Sequence, residues 1–228
     1  MTSKFDKTAA RLREVAGTFA PAAFATSLGA EDMVLLDLID RNGFEIEVFT
    51  LDTGRLPEET HDLLQMARQR YKTPIRVFTP ESADVEGYTR AHGPNGFYES
   101  VELRQECCQL RKVRPLRRAL QGKRAWLTGL RREQSPTRRD LPFREWDAAN
   151  GLEKFNPLAD WLVDEVWDYI RQHEVPYSAL HKRGYPSIGC APCTRAIGAD
   201  EDIRAGRWWW ENPENKECGL HPRQRSHG

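Results

Sequence analysis

The 228-residue sequence predicts an α/β fold in which a parallel sheet carries helices on both faces. Short apolar runs alternate with amphipathic stretches from residue 22 to residue 129. These runs end in turns rich in Gly, Asp and Arg, as expected at the carboxyl edge of such a sheet. Hydrophobic residues at 39% and charged residues at 30% fit a soluble protein, and no apolar run approaches the roughly 18 residues of a membrane span.

The first half of the predicted sheet comes from two strand-helix units. Residues 22–28 are apolar and are followed by Gly29 and an amphipathic stretch over 31–40, which predicts a strand, a tight turn and a helix. Residues 45–51 predict the second strand. The helix predicted over 57–70 opens on proline and has acids in its first turn, where the helix dipole favours negative charge.

The alternation continues with a third strand over 74–79, a helix over 109–120 and a fourth strand over 125–129. This order predicts crossover connections and therefore a parallel sheet. Ligands of such sheets bind beyond the carboxyl ends of the strands. The loops expected at that edge are 27–32, 52–55 and 129–139.

Beyond the fourth strand the pattern changes. Residues 143–146 and 152–155 flank Asn150-Gly151, which is typical of a β-hairpin. A helix is predicted over 163–173. The remainder is rich in Gly, Pro and scattered charge, and there is no internal repeat.

The net charge of zero hides a basic block. Residues 104–144 hold 13 Lys and Arg against 3 Asp and Glu, although the whole chain has 34 of each sign. A basic block inside an otherwise acidic chain indicates an anionic ligand that is bound locally. The overall balance argues against a nucleic-acid partner but leaves it open.

Ser27 and Gly29 lie at the first predicted strand-to-helix turn. Backbone N–H groups and the helix dipole form an anion site at such a turn. The loop lacks the lysine of a Walker A motif, so an ordinary P-loop NTPase is disfavoured. The alternative is a glycine turn that only packs the helix on the strand.

Asp52, Thr53 and Gly54 follow the second predicted strand. They offer a carboxylate, a hydroxyl and close backbone access, which suit a ribose or an adenine edge. The alternative is a plain connection into the next helix.

Four arginines follow the fourth predicted strand within nine residues. Guanidinium groups bind phosphate or sulfate oxygens in a bidentate manner. A solvated run of charge is the common alternative, but the position at a strand end favours binding. The arginines are Arg131, Arg132, Arg138 and Arg139, of which the first three are our candidates for substrate binding.

The five cysteines form two pairs and a single residue. In an intracellular chain, two pairs indicate metal or redox chemistry rather than disulfides. Adjacent thiolates are awkward ligands for one tetrahedral zinc, whereas a four-iron cluster offers each thiolate its own iron. Zinc and buried structural thiols remain alternatives. The pairs are Cys107-Cys108 and Cys190/Cys193, and the single cysteine is Cys218, a candidate reactive thiol.

Three further cations are candidates for the site. Lys112 follows Cys108 by four residues, which predicts that both share one helical face, although a surface lysine is the commoner case. Arg204 and Arg207, one helical turn apart if helical, precede three consecutive tryptophans. Those tryptophans predict core or lid packing.

Together these motifs resemble the assimilatory sulfonucleotide reductases, in particular the bacterial branch that reduces adenylyl sulfate. The resemblance runs from Ser27 to His221, and it is most specific at the cysteine pairs and at the terminal Glu-Cys-Gly-Leu-His. It implies an adenine-nucleotide α-hydrolase type of fold. It also implies a domain over 1–200, which binds the nucleotide and the cluster, and a mobile C-terminal tail over 201–228.

The resemblance assigns roles to the candidates. The four paired cysteines would hold one [4Fe–4S] cluster per chain, and Cys218 would be the nucleophile with His221 in the catalytic set. Lys112 would lie between cluster and substrate, and Arg204 and Arg207 would meet the phosphosulfate.

The implied reaction is reduction of adenosine 5′-phosphosulfate (APS) to sulfite and AMP through an S-sulfocysteine, with thioredoxin as the reductant. The implied location is the cytoplasm, since the N-terminus lacks the apolar region of a secretory signal. Three alternatives remain: reduction of the 3′-phosphorylated nucleotide (PAPS), a zinc-binding RNA-modifying protein, and a non-enzymatic Fe–S redox sensor. A homo-oligomer is left open.

Overall fold

The computed structural model describes residues 3–135 and 138–212. Within them, six strands form one sheet, and seven α-helices surround it. The strands are β1 Ala22–Thr26, β2 Ile46–Leu51, β3 Ile75–Phe78, β4 Ala125–Leu127, β5 Arg144–Asp147 and β6 Leu152–Phe155. The helices are α1 Lys4–Thr18, α2 Ala30–Asn42, α3 Glu58–Arg70, α4 Ser82–His92, α5 Val101–Cys108, α6 Arg114–Leu120 and α7 Val163–His173.

The strand order is β3-β2-β1-β4-β6-β5. All neighbouring pairs are parallel except β5 and β6, which form the antiparallel hairpin that Asn150-Gly151 predicts. The predicted fold class is therefore confirmed, and the hairpin closes one edge of the same sheet. The order reverses between β1 and β4, and this switch point is where doubly wound sheets bind ligands.

Alternate residues of the central strands face two separate cores. Ala22 and Phe24 belong to the larger core, together with residues of α1, α2, α3 and α7. Ala23 and Trp126 belong to the smaller one, which α6 covers. Helices therefore bury both faces of the sheet, as the near-continuous apolar runs of its strands require.

A buried carboxylate connects three helices behind the sheet. Asp37 of α2 accepts hydrogen bonds from the hydroxyls of Tyr169, at 2.8 Å, and Tyr71, at 3.2 Å, and pairs with Arg41 at 2.5 Å. Tyr169 belongs to α7, and Tyr71 directly follows α3. Because each polar atom finds a partner, this network fixes how the helices pack.

Three helices are missing from the sequence-based prediction. The structure adds α1, α4 and α5, and α5 begins directly after Ser100, whose hydroxyl accepts the Leu103 N–H at 3.2 Å. The helix predicted over 109–120 is therefore only the second part of a longer helical segment. A π-helical turn, Gln109–Val113, joins α5 to α6. No helix in the described ranges has the length and apolarity that crossing a membrane demands.

Candidate functional site

A cavity of about 240 Å³ opens at the carboxyl ends of β1, β2 and β4. Its lining includes Thr26 and Thr50 of β1 and β2 and Thr128 directly after β4. It also includes residues 186–189, Ile203, Arg204, Arg207 and Trp208. The position agrees with the edge at which the sequence places its three ligand loops. The cavity is large enough to enclose much of a nucleotide-sized ligand.

The turn after β1 is held in an unusual backbone conformation. Leu28 has φ of 61°, in the left-handed region that few residues other than glycine adopt. Ser27 donates to the Asp32 carboxylate twice, from its N–H at 2.6 Å and from its hydroxyl at 2.7 Å. These bonds hold the turn at the N-terminus of α2, where backbone N–H groups face an incoming anion.

Asp32 also fixes the loop after β4. A Cβ added to Gly129 would lie 2.1 Å from Asp32 Oδ1, so only glycine allows the two loops to approach this closely. Burial raises the pKa of Asp32 to about 6. The hydrogen bonds from Ser27 favour the charged form and lower this pKa, but burial has the larger effect. Sequence analysis missed Asp32, although it is part of the same Ser-Leu-Gly-Ala-Glu-Asp motif.

This pKa predicts a pH dependence of folding stability. A raised pKa means that the folded chain holds the Asp32 proton more tightly than the unfolded chain does. The stabilisation is therefore complete below about pH 4 and is lost as the pH rises through about 6. The measured quantity is the difference in free energy of unfolding between the native chain and Asp32→Asn at the same pH. We expect the native chain to lose up to about 3 kcal/mol relative to the variant as the pH rises over this range. Urea unfolding of both proteins from pH 4 to pH 7 measures the difference, and a constant difference would contradict the prediction.

Seven of the predicted ligand-binding and catalytic residues line this cavity. They come from the β1 and β2 loops, from the basic loop, from the turn after α5 and from the segment before the tryptophans. They are Ser27, Gly29, Thr53, Lys112, Arg138, Arg204 and Arg207.

The cavity lining does not include Asp52, Gly54, Arg131 and Arg132. The Asp52 carboxylate accepts the Gly54 N–H at 2.8 Å and faces His61 Nε2 at 3.2 Å. Arg132 is directed outward, where its Nε donates to the Leu141 carbonyl at 2.8 Å.

Arg131 is buried and forms ion pairs inside the protein. Its side chain is 1% exposed and pairs with Glu31 at 2.8 Å and with Glu133 at 2.9 Å. The two carboxylates neutralise the guanidinium, so it supports the loop instead of presenting a free positive charge. Sequence patterns do not distinguish the buried Arg131 from Arg138, seven residues later in the same loop, which does line the cavity.

Arg204 and Arg207 lie in a turn, not in the helix that their spacing suggested. The Arg207 N–H donates to the Arg204 carbonyl at 2.9 Å, and Arg207 forms an isolated β-bridge with Thr194. The Arg207 guanidinium lies over Gly189, where an added Cβ would come within 2.3 Å of it. Gly189 therefore lets a buried arginine reach the cavity.

All four paired cysteines line a second, smaller pocket next to the cavity. Cys107 is partly buried, and Cys108, Cys190 and Cys193 are buried. Burial raises the pKa of the Cys193 thiol to about 12, and it also raises the pKa of Cys107. The cations that line the same pocket are Arg55, Arg104, Arg111 and Lys112.

Two loops meet at this pocket through Thr53. Its hydroxyl lies 3.2 Å from Cys190 Sγ, and its carbonyl accepts from Arg111 Nη1 at 2.6 Å. The Ala191 N–H donates to the Arg55 carbonyl at 2.8 Å. The loop after β2 therefore contacts both cysteine-bearing segments, and sequence spacing gave no signal for Arg111.

Lys112 lines both the cavity and the cysteine pocket. It lies in the π-helical turn, four residues after Cys108. Lys112 therefore lies at the boundary between the two pockets, and its predicted role between cluster and substrate stays a prediction. Short π-helical turns often occur at functional sites because they re-aim side chains.

The segment after the cavity is clamped to the cysteine-bearing helix. Arg104 of α5 binds the Glu211 carboxylate with two hydrogen bonds of 2.8 Å, and the two side chains are 1% and 3% exposed. Trp208 lies between Arg104 and Arg207, whose Cζ atoms are 4.9 Å and 4.6 Å from its ring. Sequence analysis missed this clamp because its partners are 107 residues apart.

Residues 206–211 therefore pack against the rest of the chain, beyond the domain boundary predicted at residue 200. The Trp208 N–H donates to the Cys193 carbonyl at 3.2 Å, and the Arg195 N–H donates to the Gly206 carbonyl at 3.0 Å. Cys218 and His221 lie outside the described residues, so their predicted roles, like the mobile tail, stay predictions.

Comparison with known proteins identifies the relatives of this chain. A family model described as the phosphoadenosine phosphosulfate reductase domain matches residues 21–196. Adenosine 5′-phosphosulfate reductase of Allochromatium vinosum is 62% identical over 201 residues, which cover 88% of this chain and 78% of that protein. The Neisseria meningitidis protein of the same name is 53% identical over 212 residues, or 92% of this chain and 87% of its own.

Solved structures agree with the fold. Phosphoadenylyl-sulfate reductase from Candida auris, in a phosphate complex, has a TM-score of 0.72 at 28% identity and covers 83% of this chain and 90% of its own. Candida glabrata FMN adenylyltransferase, in complex with FMN and an ATP analogue, has a TM-score of 0.54 at 13% identity, covering 94% and 75%. The second likeness concerns the fold alone.

Proposed function

Because this chain belongs to the phosphoadenosine phosphosulfate reductase domain family, we propose that it reduces APS to sulfite and AMP in sulfate assimilation. The observation that carries the proposal is the position of Lys112, which borders both the cavity and the four-cysteine pocket. The name shared by the relatives from Allochromatium vinosum and Neisseria meningitidis supports APS as the substrate. We place the reaction in the cytoplasm, where thiols stay reduced.

In the first step the Cys218 thiolate attacks the sulfonyl sulfur of APS. A sulfur–sulfur bond forms, the bond from sulfur to the phosphate oxygen breaks, and AMP leaves with that electron pair. Lys112, Arg204 and Arg207 line the cavity wall and stabilise the negative charge that develops on the leaving phosphate. His221, three residues after Cys218 in sequence, is proposed as a further catalytic residue.

In the second step a protein dithiol, thioredoxin in this proposal, attacks the Cys218 sulfur. Sulfite leaves with the electron pair, and the second thiol then resolves the mixed disulfide and frees Cys218. The two electrons that reduce the sulfonyl group come from the dithiol, so the reaction needs neither flavin nor nicotinamide.

We propose that Cys107, Cys108, Cys190 and Cys193 hold one [4Fe–4S] cluster. All four cysteines line one pocket, and the adjacent pair Cys107-Cys108 suits a four-iron cluster, in which each thiolate has its own iron, better than one tetrahedral zinc. The buried Trp208 Nε1, without a hydrogen-bond partner among the described residues, can serve as a donor to a sulfur ligand. When bound, the cluster would supply fixed charge beside Lys112.

The pairing of the basic block bears on substrate choice. Spare cations of the basic block over 104–144 could hold the additional phosphate of PAPS, but three of them lie outside the cavity lining and pair with carboxylates. Arg114 pairs with Asp84, Arg118 with Glu81, and Lys123 with Glu47. These pairings favour APS over PAPS.

We therefore expect at least a tenfold preference for APS in kcat/KM, or about 1.4 kcal/mol. The measurement is sulfite release from each nucleotide with reduced thioredoxin, with AMP appearing in equal amount from APS. Equal kcat/KM for the two nucleotides would contradict the substrate assignment. Absence of sulfite with both would contradict the proposed function.

A further inference from the structure

Three aromatic residues, two exposed and one partly buried, form a surface patch beside the cysteine pocket. Tyr98 is 41% exposed and Trp209 is 40% exposed. The Trp210 ring lies 4.5 Å from Tyr98 and 4.8 Å from Trp209. We call Tyr98, Trp209 and Trp210 the aromatic patch.

Among the described residues, this patch is where two large exposed hydrophobic side chains lie together. The ring centroids of Tyr98 and Trp209 are 6.4 Å apart. The other large exposed hydrophobic residues lie on different elements or loops, namely Met66, Val77, Trp146 and Leu162. Contiguous exposed aromatic surface on a soluble protein indicates a binding surface, and Tyr and Trp are enriched in protein interfaces.

The patch is held rigidly. The Tyr98 hydroxyl donates to the Pro192 carbonyl at 2.7 Å, and the buried Phe97 ring lies 4.4 Å from Tyr98. The residues that flank the two tryptophans in sequence are both fixed. Trp208, before them, is buried, and Glu211, after them, is paired with Arg104. Rigid aromatic side chains lose little entropy on binding, which suits them to anchor a partner.

The patch does not line the nucleotide cavity or the cysteine pocket. Trp210 packs against the core cluster that contains Cys190 and Cys193, whereas Trp209 does not belong to it. Tyr98 and Trp209 remain exposed. Their exposure remains unexplained by substrate binding.

The patch lies within reach of Cys218. Cys218 follows Trp210 by eight residues, so its Cα lies within about 29 Å of the patch whatever the path of the chain. A protein thiol that attacks the Cys218 sulfur must come within the same distance. A protein cannot enter a cavity of about 240 Å³, so it has to rest on the surface near its mouth.

We propose that the aromatic patch is the docking surface for the protein dithiol that regenerates Cys218. The inference rests on the proposed function, because it assumes that an S-sulfocysteine forms on Cys218. The partner is a small protein whose reactive thiol is surrounded by uncharged surface, and thioredoxin is the probe.

The test compares Trp209→Ser with Trp146→Ser, a matched loss of a tryptophan that is 54% exposed on edge strand β5. Three quantities are measured at saturating APS: the KM for thioredoxin, turnover with the small dithiol dithiothreitol, and the rate of adduct formation without any reductant. For Trp209→Ser we expect the KM for thioredoxin to rise at least tenfold, while the other two stay within twofold. Trp146→Ser should change none of them, and Trp209→Lys, which places a charge on the patch, is a second variant expected to behave as Trp209→Ser.

An unchanged KM for thioredoxin in Trp209→Ser and Trp209→Lys would overturn the inference. So would slower adduct formation in these variants, because the patch would then serve the chain's own C-terminal segment. If the native protein forms no adduct on Cys218, the proposed function itself fails, and that outcome is visible before any variant is made.

Discussion

Replacing Cys218 by Ser is expected to lower APS reduction at least about 10³-fold while leaving cluster content and nucleotide binding unchanged. A serine hydroxyl stays protonated at neutral pH, whereas a thiol provides a fraction of strongly nucleophilic thiolate. Binding should persist because the cavity is formed by residues 25–208 and by none beyond them in the described chain.

Two measurements check this result. The first is sulfite release by Cys218→Ser, with AMP binding and iron content as controls. The second is the mass of the native protein after incubation with APS alone, which should increase by one SO₃ group on Cys218. An adduct on another cysteine, or sustained sulfite release by the variant, would show that the nucleophile is elsewhere.

Replacing Cys190 by Ser should remove iron, acid-labile sulfide and APS reduction together, with activity below about 1% of the native protein. Cys190 is buried in the pocket that also holds the other three cysteines, and its sulfur lies 3.2 Å from the Thr53 hydroxyl. A serine oxygen is a poor ligand for iron in place of a thiolate.

Cys218→Ser is the matched control for this variant, since it makes the same chemical change at a cysteine outside the pocket. Anaerobically prepared Cys190→Ser is compared with it by iron and sulfide analysis, visible absorption and activity. Zinc at one atom per chain in native protein made with iron available would contradict the cluster. So would full iron content in Cys190→Ser.

The fold was largely predictable from sequence because its strands are buried on both faces. Such strands appear as apolar runs such as 22–26 and 46–51, and alternation with helices then fixes the parallel arrangement. The helix over 163–173 was also predicted with the bounds of α7. The prediction of a single helix over 109–120 was wrong at its start, because α5 already begins at Val101.

The site was predictable in chemistry and less so in geometry. Motif composition identified Ser27, Thr53 and Lys112, which all line the cavity. It could not identify Arg131 as internal, because burial depends on Glu31, 100 residues away. A π-helical turn likewise has no simple sequence signature, since its i→i+5 bonds involve only backbone.

The clamp between Arg104 and Glu211 has a kinetic consequence. Glu211 is fixed against α5, and Cys218 is seven residues further on. Seven residues span at most about 25 Å, so the thiol is confined to a sphere of about that radius around Glu211.

One molecule in such a sphere corresponds to an average local concentration of about 25 mM, and the volume filled by the protein itself raises this figure. Arg207 and Trp208, which line the cavity, are four and three residues from Glu211 and so lie inside the sphere. In the proposed mechanism, the Cys218 thiol is thus supplied to bound nucleotide at millimolar concentration in every molecule, independently of how dilute the protein is.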